Sequence, residues 1–426
     1  VTGALSREQP KRAIVLSGGG ARGAYEAGAL QFILDELPAR HGIDPRFEII
    51  CGTSVGAIHA AYLAGTAHLS RDRGPGLVKI WEDLHVDEIF HFSSRDLISI
   101  PRKLFGVRKV AQQLREGRRP DRLFGLLNTE PLEKLVLQSI PWENIQKNIQ
   151  AGFCETVCIA ATQLATGRAV VFCEQKSRDL PPWLEQDNIR MQAARLAPVH
   201  ALASAAIPLL FPSVRVGSRY YADGGLRLNT PLAPAIRLGA NRVLVIGLGH
   251  GVAPSVSEAL AQQRTAGFGN PSFLFGKVLN ALMLSPVDAD LARLHFVNDI
   301  IDHGETAFGG DFLDRINEVG RTRDARPLRR IDSMVVRPSR DLGLMAGELI
   351  SGKSEKIELN AFLRFFIRNT EPNGELQEAD LLSYLLFDNA FTTPLVELGY
   401  EDARSREEEL LRFFDDDSPP LRPASG

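Results

Sequence analysis

A chain of 426 residues with 44% hydrophobic and 24% charged residues can bury a large core, and its net charge of −3 gives no bulk attraction to nucleic acid. Four cysteines are too few for a disulfide framework, and Cys154 and Cys158 have no second pair to complete a zinc site, so no metal and no cofactor is expected. The first residues lack the apolar stretch of a secretory leader, and no run is long enough to span a bilayer, which makes a cytoplasmic protein the expectation.

Ala13–Leu16 is a short apolar run that suits a buried strand, ending at Gly18-Gly19-Gly20-Ala21-Arg22-Gly23. Apolar residues at helical spacing from Ala24 to Leu37 predict a helix that stops before Pro38. Phe47–Cys51 is the next strand, and Gly52-Thr53-Ser54-Val55-Gly56 leads into a helix over Val55–Ala64. Two strand–turn–helix units in succession are the sequence form of a parallel sheet covered by helices. Further strands are expected at Thr156–Thr162, Ala169–Phe172, Arg219–Ala222, Arg242–Ile246 and Ser333–Arg337. Helices are expected at Ile189–Ala206, interrupted at Pro198, and at Leu232–Leu238. The stretch 85–127 is rich in Arg and Lys with weak periodicity and reads as an insertion or cap. The expected organisation is an N-terminal tail (1–12), a catalytic unit (13–340), a charged helical region (341–414) and a disordered Pro-rich tail (415–426).

The chemistry concentrates in three turns at strand ends. The G-x-S-x-G form of Gly52–Gly56 places Ser54 on a sharp strand-to-helix turn with its hydroxyl outward; Gly52 lets the backbone enter that turn and Gly56 lets the helix pack close. A serine at a helix N-cap is the plainer alternative. The glycine row offers backbone N–H groups at a helix start, where an oxyanion is stabilised. The same row also fits a dinucleotide-binding turn, but the following strand ends in Cys51-Gly52-Thr53 instead of the acidic residue such a site needs. Asp223, followed by Gly224 and Gly225, presents a carboxylate at the end of a strand.

Taken together, Gly18–Gly23, Gly52–Gly56, Asp223–Gly225 and the Ala203–Pro208 stretch with Phe211-Pro212 resemble, in order, the motifs of the patatin-like phospholipases, over roughly residues 12–249. The resemblance implies a three-layer α/β/α fold with a mostly parallel central sheet. It also implies a Ser–Asp dyad, with Ser54 as nucleophile and Asp223 as general base. Amides around Gly18, Gly19, Gly20 and Gly23, with Arg22 nearby, would then form the oxyanion hole. The implied activity is hydrolysis of lipid carboxylic esters through an acyl-enzyme. A Ser–His–Asp esterase completed by His250, His295 or His303 is the competing hydrolase reading, and a nucleotide-binding protein the competing reading from another class. Between residues 101 and 125 the cations, Arg118 and Arg119 among them, alternate with apolar side chains, as a surface that meets a membrane or micelle does; a solvated helical face is the plainer reading. Headgroup, chain length and homo-oligomerisation stay open.

Overall fold

The computed structural model describes residues 10–84, 89, 120–123, 125–177, 188–250, 281, 287–322, 327–351 and 380–416. Its centre is a nine-stranded sheet. The strands are β1 (Arg12–Leu16), β2 (Ile49–Thr53), β3 (Thr156–Gln163), β4 (Ala169–Gln175), β5 (Ile189–Ala193), β6 (Val214–Val216), β7 (Arg219–Asp223), β8 (Arg242–Ile246) and β9 (Asp332–Val336). The main path runs β5-β4-β3-β2-β1-β8-β9, parallel except between β3 and β4.

Period-two alternation divides the side chains of these strands between two buried layers. Ile14, Leu16, Ile50, Ile159 and Ile246 belong to one apolar cluster, and Ala13, Val15, Cys51, Cys158 and Val245 to the other. A strand buried on both faces needs helices on both, and the chain supplies them. The first face carries α1 (Ala24–Gln31), α2 (Val55–Gly65), α3 (Arg73–Glu82), α4 (Glu130–Ser139), α5 (Trp142–Ala151) and α6 (Pro198–Ser204). The second carries α7 (Leu232–Arg237) and α8 (Val287–Phe308). The result is the helix-covered, mostly parallel sheet expected from the strand–turn–helix pattern, in the three layers that the resemblance implies.

Beyond β9 come α9 (Leu342–Ser351), α10 (Asp380–Leu385), α11 (Asn389–Arg404) and α12 (Glu407–Phe414). The division expected near residue 340 falls between β9 and these helices, whose Tyr384, Leu385, Phe391 and Leu395 join the same apolar cluster as the first face of the sheet. The crossing of α1 and α11 is tight: a Cβ at Gly28 would overlap the Val396 carbonyl, and one at Gly399 the Tyr25 carbonyl. After α12 the chain folds onto the start of the sheet. The Arg12 guanidinium donates to the Phe414 carbonyl at 2.8 Å, and Arg242 donates to the Phe413 carbonyl at 2.9 Å. Asp416 pairs with Arg12 there, while 417–426 lie outside the described residues.

Three local expectations need correction. The predicted helix over Ile189–Ala206 is instead β5 followed by α6: Ile189–Ala193 pairs in parallel with β4, and Pro198, which has no N–H to lose, opens the helix. The helix from Ala24 does not stop before Pro38. It widens into a π segment over Phe32–Glu36 and continues as Leu37–His41 to Gly42, the wider turn accommodating a proline that cannot donate to the ladder. The second strand lies two residues later than the Phe47 start predicted, at Ile49–Thr53, so Thr53 ends it and Ser54 follows at once.

Candidate active site

Register brings the site together. Thr53, the last residue of β2, pairs with Ala160 of β3. The next residue of β3, Ala161, pairs with Asp223 of the antiparallel β7. β7 thus occupies the lane that β2 vacates, and the carboxylate at its end arrives where the chain leaves β2 for α2. Ser54 Oγ donates to Asp223 Oδ2 at 2.6 Å, and both residues are buried.

Ser54 adopts φ 54°, ψ −123°, a left-handed backbone that few residues other than glycine take up. The neighbours hold it there. Ser204 Oγ accepts the Ser54 N–H at 2.8 Å and itself donates to the Ala160 carbonyl. Thr53 Oγ1 donates to the Leu228 carbonyl at 2.7 Å. Space closes the turn as well: a Cβ at Gly52 would strike the Gly56 carbonyl, one at Gly56 would come within 2.5 Å of the Leu16 carbonyl, and one at Gly224 would strike the Ala160 carbonyl. Asp223 is fixed on its other side, with Oδ1 accepting the Gly225 N–H at 2.7 Å. Complete burial raises the Asp223 carboxyl from its ordinary 3.8 to about 7, against the opposing pull of its bonds from Ser54 and Gly225.

The glycine row runs beside this pair. A Cβ on Gly18 would come to 3.0 Å from the Ser54 Cβ, and one on Gly19 would strike the Leu248 side chain. Gly20 has φ 57° and lies against the Tyr384 carbonyl, a position only glycine fills without strain. Gly23 faces Val55 of α2 and Trp81 of α3. Arg22 is buried with them; its Nε donates to Ser383 Oγ at 2.8 Å and its guanidinium lies 4.3 Å from the centre of the Tyr384 ring. Both of these side-chain contacts are with α10.

A cavity of about 70 Å³ opens on the serine. Gly20, Ser54 and Val55 line it, and Ile58, Trp81 and Phe387 are among its apolar walls. The histidines of the triad alternative lie elsewhere. His250 Nε2 is 3.2 Å from the Ser339 carbonyl, His295 Nε2 is 3.1 Å from Ser333 Oγ, and His303 is exposed on α8. Among the described residues no cluster of His, Cys, Asp or Glu could hold a metal ion. No described helix is long and apolar enough to cross a membrane. Arg118 and Arg119, the expected membrane contacts, lie outside the described residues, and Arg122 pairs with Glu133 on α4 at 2.5 Å.

Two groups escaped the sequence reading as separate contributors. Ser204 was visible only as part of a resembling stretch, and its hold on the Ser54 amide needs the fold. Glu26 and His59 form a buried pair behind the glycine row, with His59 Nδ1 2.8 Å from Glu26 Oε2. Their signal was present: each is an ionisable residue in a helix that is otherwise apolar almost all round.

Residues 14–236 match the family model for patatin-like phospholipase. A curated relative, a cGAMP-activated phospholipase of Pseudomonas aeruginosa (strain BWHPSA011 / Pa011), is 29% identical over 219 residues, covering 51% of this chain and 53% of the relative. The chain thus spans about half the length of that relative. Among solved structures, VipD from Legionella pneumophila aligns over 94% of this chain and 67% of its own at 14% identity, with a TM-score of 0.38. Human GIVD cytosolic phospholipase A2 aligns over 95% and 58% at 13% identity, also with a TM-score of 0.38.

Proposed function

The chain belongs to the patatin-like phospholipase family, and from that premise we propose that it is a serine hydrolase of lipid carboxylic esters, of the phospholipase A or lysophospholipase type. The observation that carries the reading is the 2.6 Å bond from Ser54 Oγ to Asp223 Oδ2 at the mouth of an apolar cavity. A serine hydroxyl needs a neighbouring base, and a carboxyl raised to about 7 by burial is a far stronger base than an ordinary aspartate. In the proposed reaction Asp223 takes the hydroxyl proton as Ser54 Oγ attacks the ester carbonyl. It returns the proton to the leaving alcohol, and an acyl-serine remains. Asp223 then takes a proton from water, the hydroxide attacks the acyl carbonyl, and Ser54 recovers its proton as the fatty acid leaves.

The developing alkoxide lies near the Gly19 and Gly20 amides, which donate to no partner among the described residues, and near the start of α2, where the helix dipole favours negative charge. The apolar walls of the cavity suit the acyl chain. A lipid substrate would be met at a membrane or micelle surface. The test is labelling with an alkyl fluorophosphonate, together with mass-spectrometric profiling of products from mixed lipids. Because the Pseudomonas relative is named as cGAMP-activated, the profiling is run with and without that dinucleotide. The expected result is a label on Ser54 and released fatty acid, with both lost in Ser54→Ala. Label elsewhere, or equal release by Ser54→Ala, overturns the proposal.

A further inference from the structure

Behind the glycine row runs a chain of buried polar groups that the proposed reaction does not use. Ser17, the residue before Gly18, donates its N–H to Glu26 Oε1 at 2.8 Å. The other carboxylate oxygen meets His59 Nδ1 at 2.8 Å, and His59 Nε2 meets the Trp81 Nε1–H at 3.0 Å. Trp81 has only a donor to offer, so His59 Nε2 accepts and the imidazole proton sits on Nδ1. Glu26 therefore receives an N–H on each oxygen. Burial pushes its carboxyl upward, while the Ser17 amide opposes that shift and its place in the first turn of α1 favours the charged form. Burial also lowers His59 to about 3, which keeps the ring neutral.

The two ends of this chain lie at different parts of the site. At one end the Ser17 amide leads directly into Gly18–Gly20. At the other, His59 and Trp81 both line the cavity, and the Trp81 ring stacks on the cavity residue Phe387 at 6.2 Å between centroids. A ligand that fills the cavity meets His59 and Trp81, two members of that hydrogen-bonded chain. We propose that Ser17, Glu26, His59 and Trp81 couple occupation of the cavity by a long acyl chain to alignment of the glycine-row amides. The four act as positioning residues that raise turnover of long-chain esters above that of short ones. This rests on the hydrolase reading above, and it predicts an effect of chain length on kcat, where a passive apolar pocket changes KM alone.

The test compares p-nitrophenyl acetate with p-nitrophenyl decanoate in the full chain and in Trp81→Phe, which keeps an aromatic wall and removes the N–H. Wild type is expected to turn over the decanoate with a kcat at least about tenfold above the acetate. Trp81→Phe is expected to lose about tenfold in decanoate kcat, the factor one net hydrogen bond carries, and to lose severalfold less in acetate kcat. Glu26→Gln, which breaks the carboxylate's double acceptance, moves the two rates in the same sense. Equal losses for both esters mean a structural role only, and unchanged decanoate kcat in both variants means no coupling; either result overturns the proposal while leaving the hydrolase intact. Absence of hydrolysis of both esters by wild type, with no fluorophosphonate label on Ser54, brings down the hydrolase reading and the coupling with it.

Discussion

The two ends of the sheet are built from the same strands and do opposite things. At the carboxyl ends of β1 and β2 the chain breaks into glycine-rich turns, a left-handed serine and a fully buried carboxylate, each held by its neighbours' hydrogen bonds. At the amino ends of β1 and β8, Arg12 and Arg242 reach out to the carbonyls of Phe413, Phe414 and Asp415. Strain and desolvation accumulate at the first end and charge satisfaction at the second. Under the proposed chemistry, reacting groups and stabilising groups are separated along one strand direction, and the carboxyl ends of the strands are where open α/β sheets place their ligands.

Substitutions can break or sharpen that contrast. The largest effect belongs to Asp223→Asn, which keeps the shape and removes the base; we expect kcat to fall by about 10³–10⁴. In wild type, kcat/KM should drop about tenfold per pH unit below about 7 and level off above it, because Asp223 has to be ionised to act. The stability effect has the opposite sense. A carboxyl raised from 3.8 to about 7 on folding favours the folded state most below pH 3.8, and that contribution is lost as pH rises to about 7. Asp223→Asn should therefore melt above wild type at pH 8 by more than it does at pH 4, measured by thermal denaturation. A variant without that pH trend would show that burial does not set the carboxyl's behaviour.

Gly20→Ala comes next. The added methyl meets the Tyr384 carbonyl, and the backbone has to leave its φ of 57°, so we expect a loss of about 10²–10³ in kcat with KM little changed. Arg242→Ala, at the other end, should leave kcat within about twofold and cost about 2–3 kcal/mol in denaturant unfolding, since buried carbonyls lose a charged donor. A large kinetic effect from Arg242→Ala would mean that the two ends are not separate.

Much of this was legible in the residues. The glycine row, Ser54 and Asp223 carry local signals, because sharp turns at strand ends demand particular residue types. The pairing of β7 with β3 carries no such signal: that Asp223 follows Ala222 says nothing about which lane of the sheet it enters. Arg22 shows the same limit. Its burial against Ser383 and Tyr384 depends on residues from the far end of the chain, as does the backing of Gly20. The misread stretch at Ile189 failed for a different reason. A short apolar segment fits either period, and pairing with β4 decided it.

The lane occupied by β7 also sets a timetable. Asp223 lies 169 residues after Ser54, so at ordinary rates of translation the alcohol leaves the ribosome about ten to thirty seconds before its carboxylate. The Tyr384 carbonyl that backs Gly20 comes later still. Under the proposed chemistry, a growing chain that displays Ser54 has no base beside it and cannot attack an ester; hydrolysis is withheld until β7 and α10 have both been made.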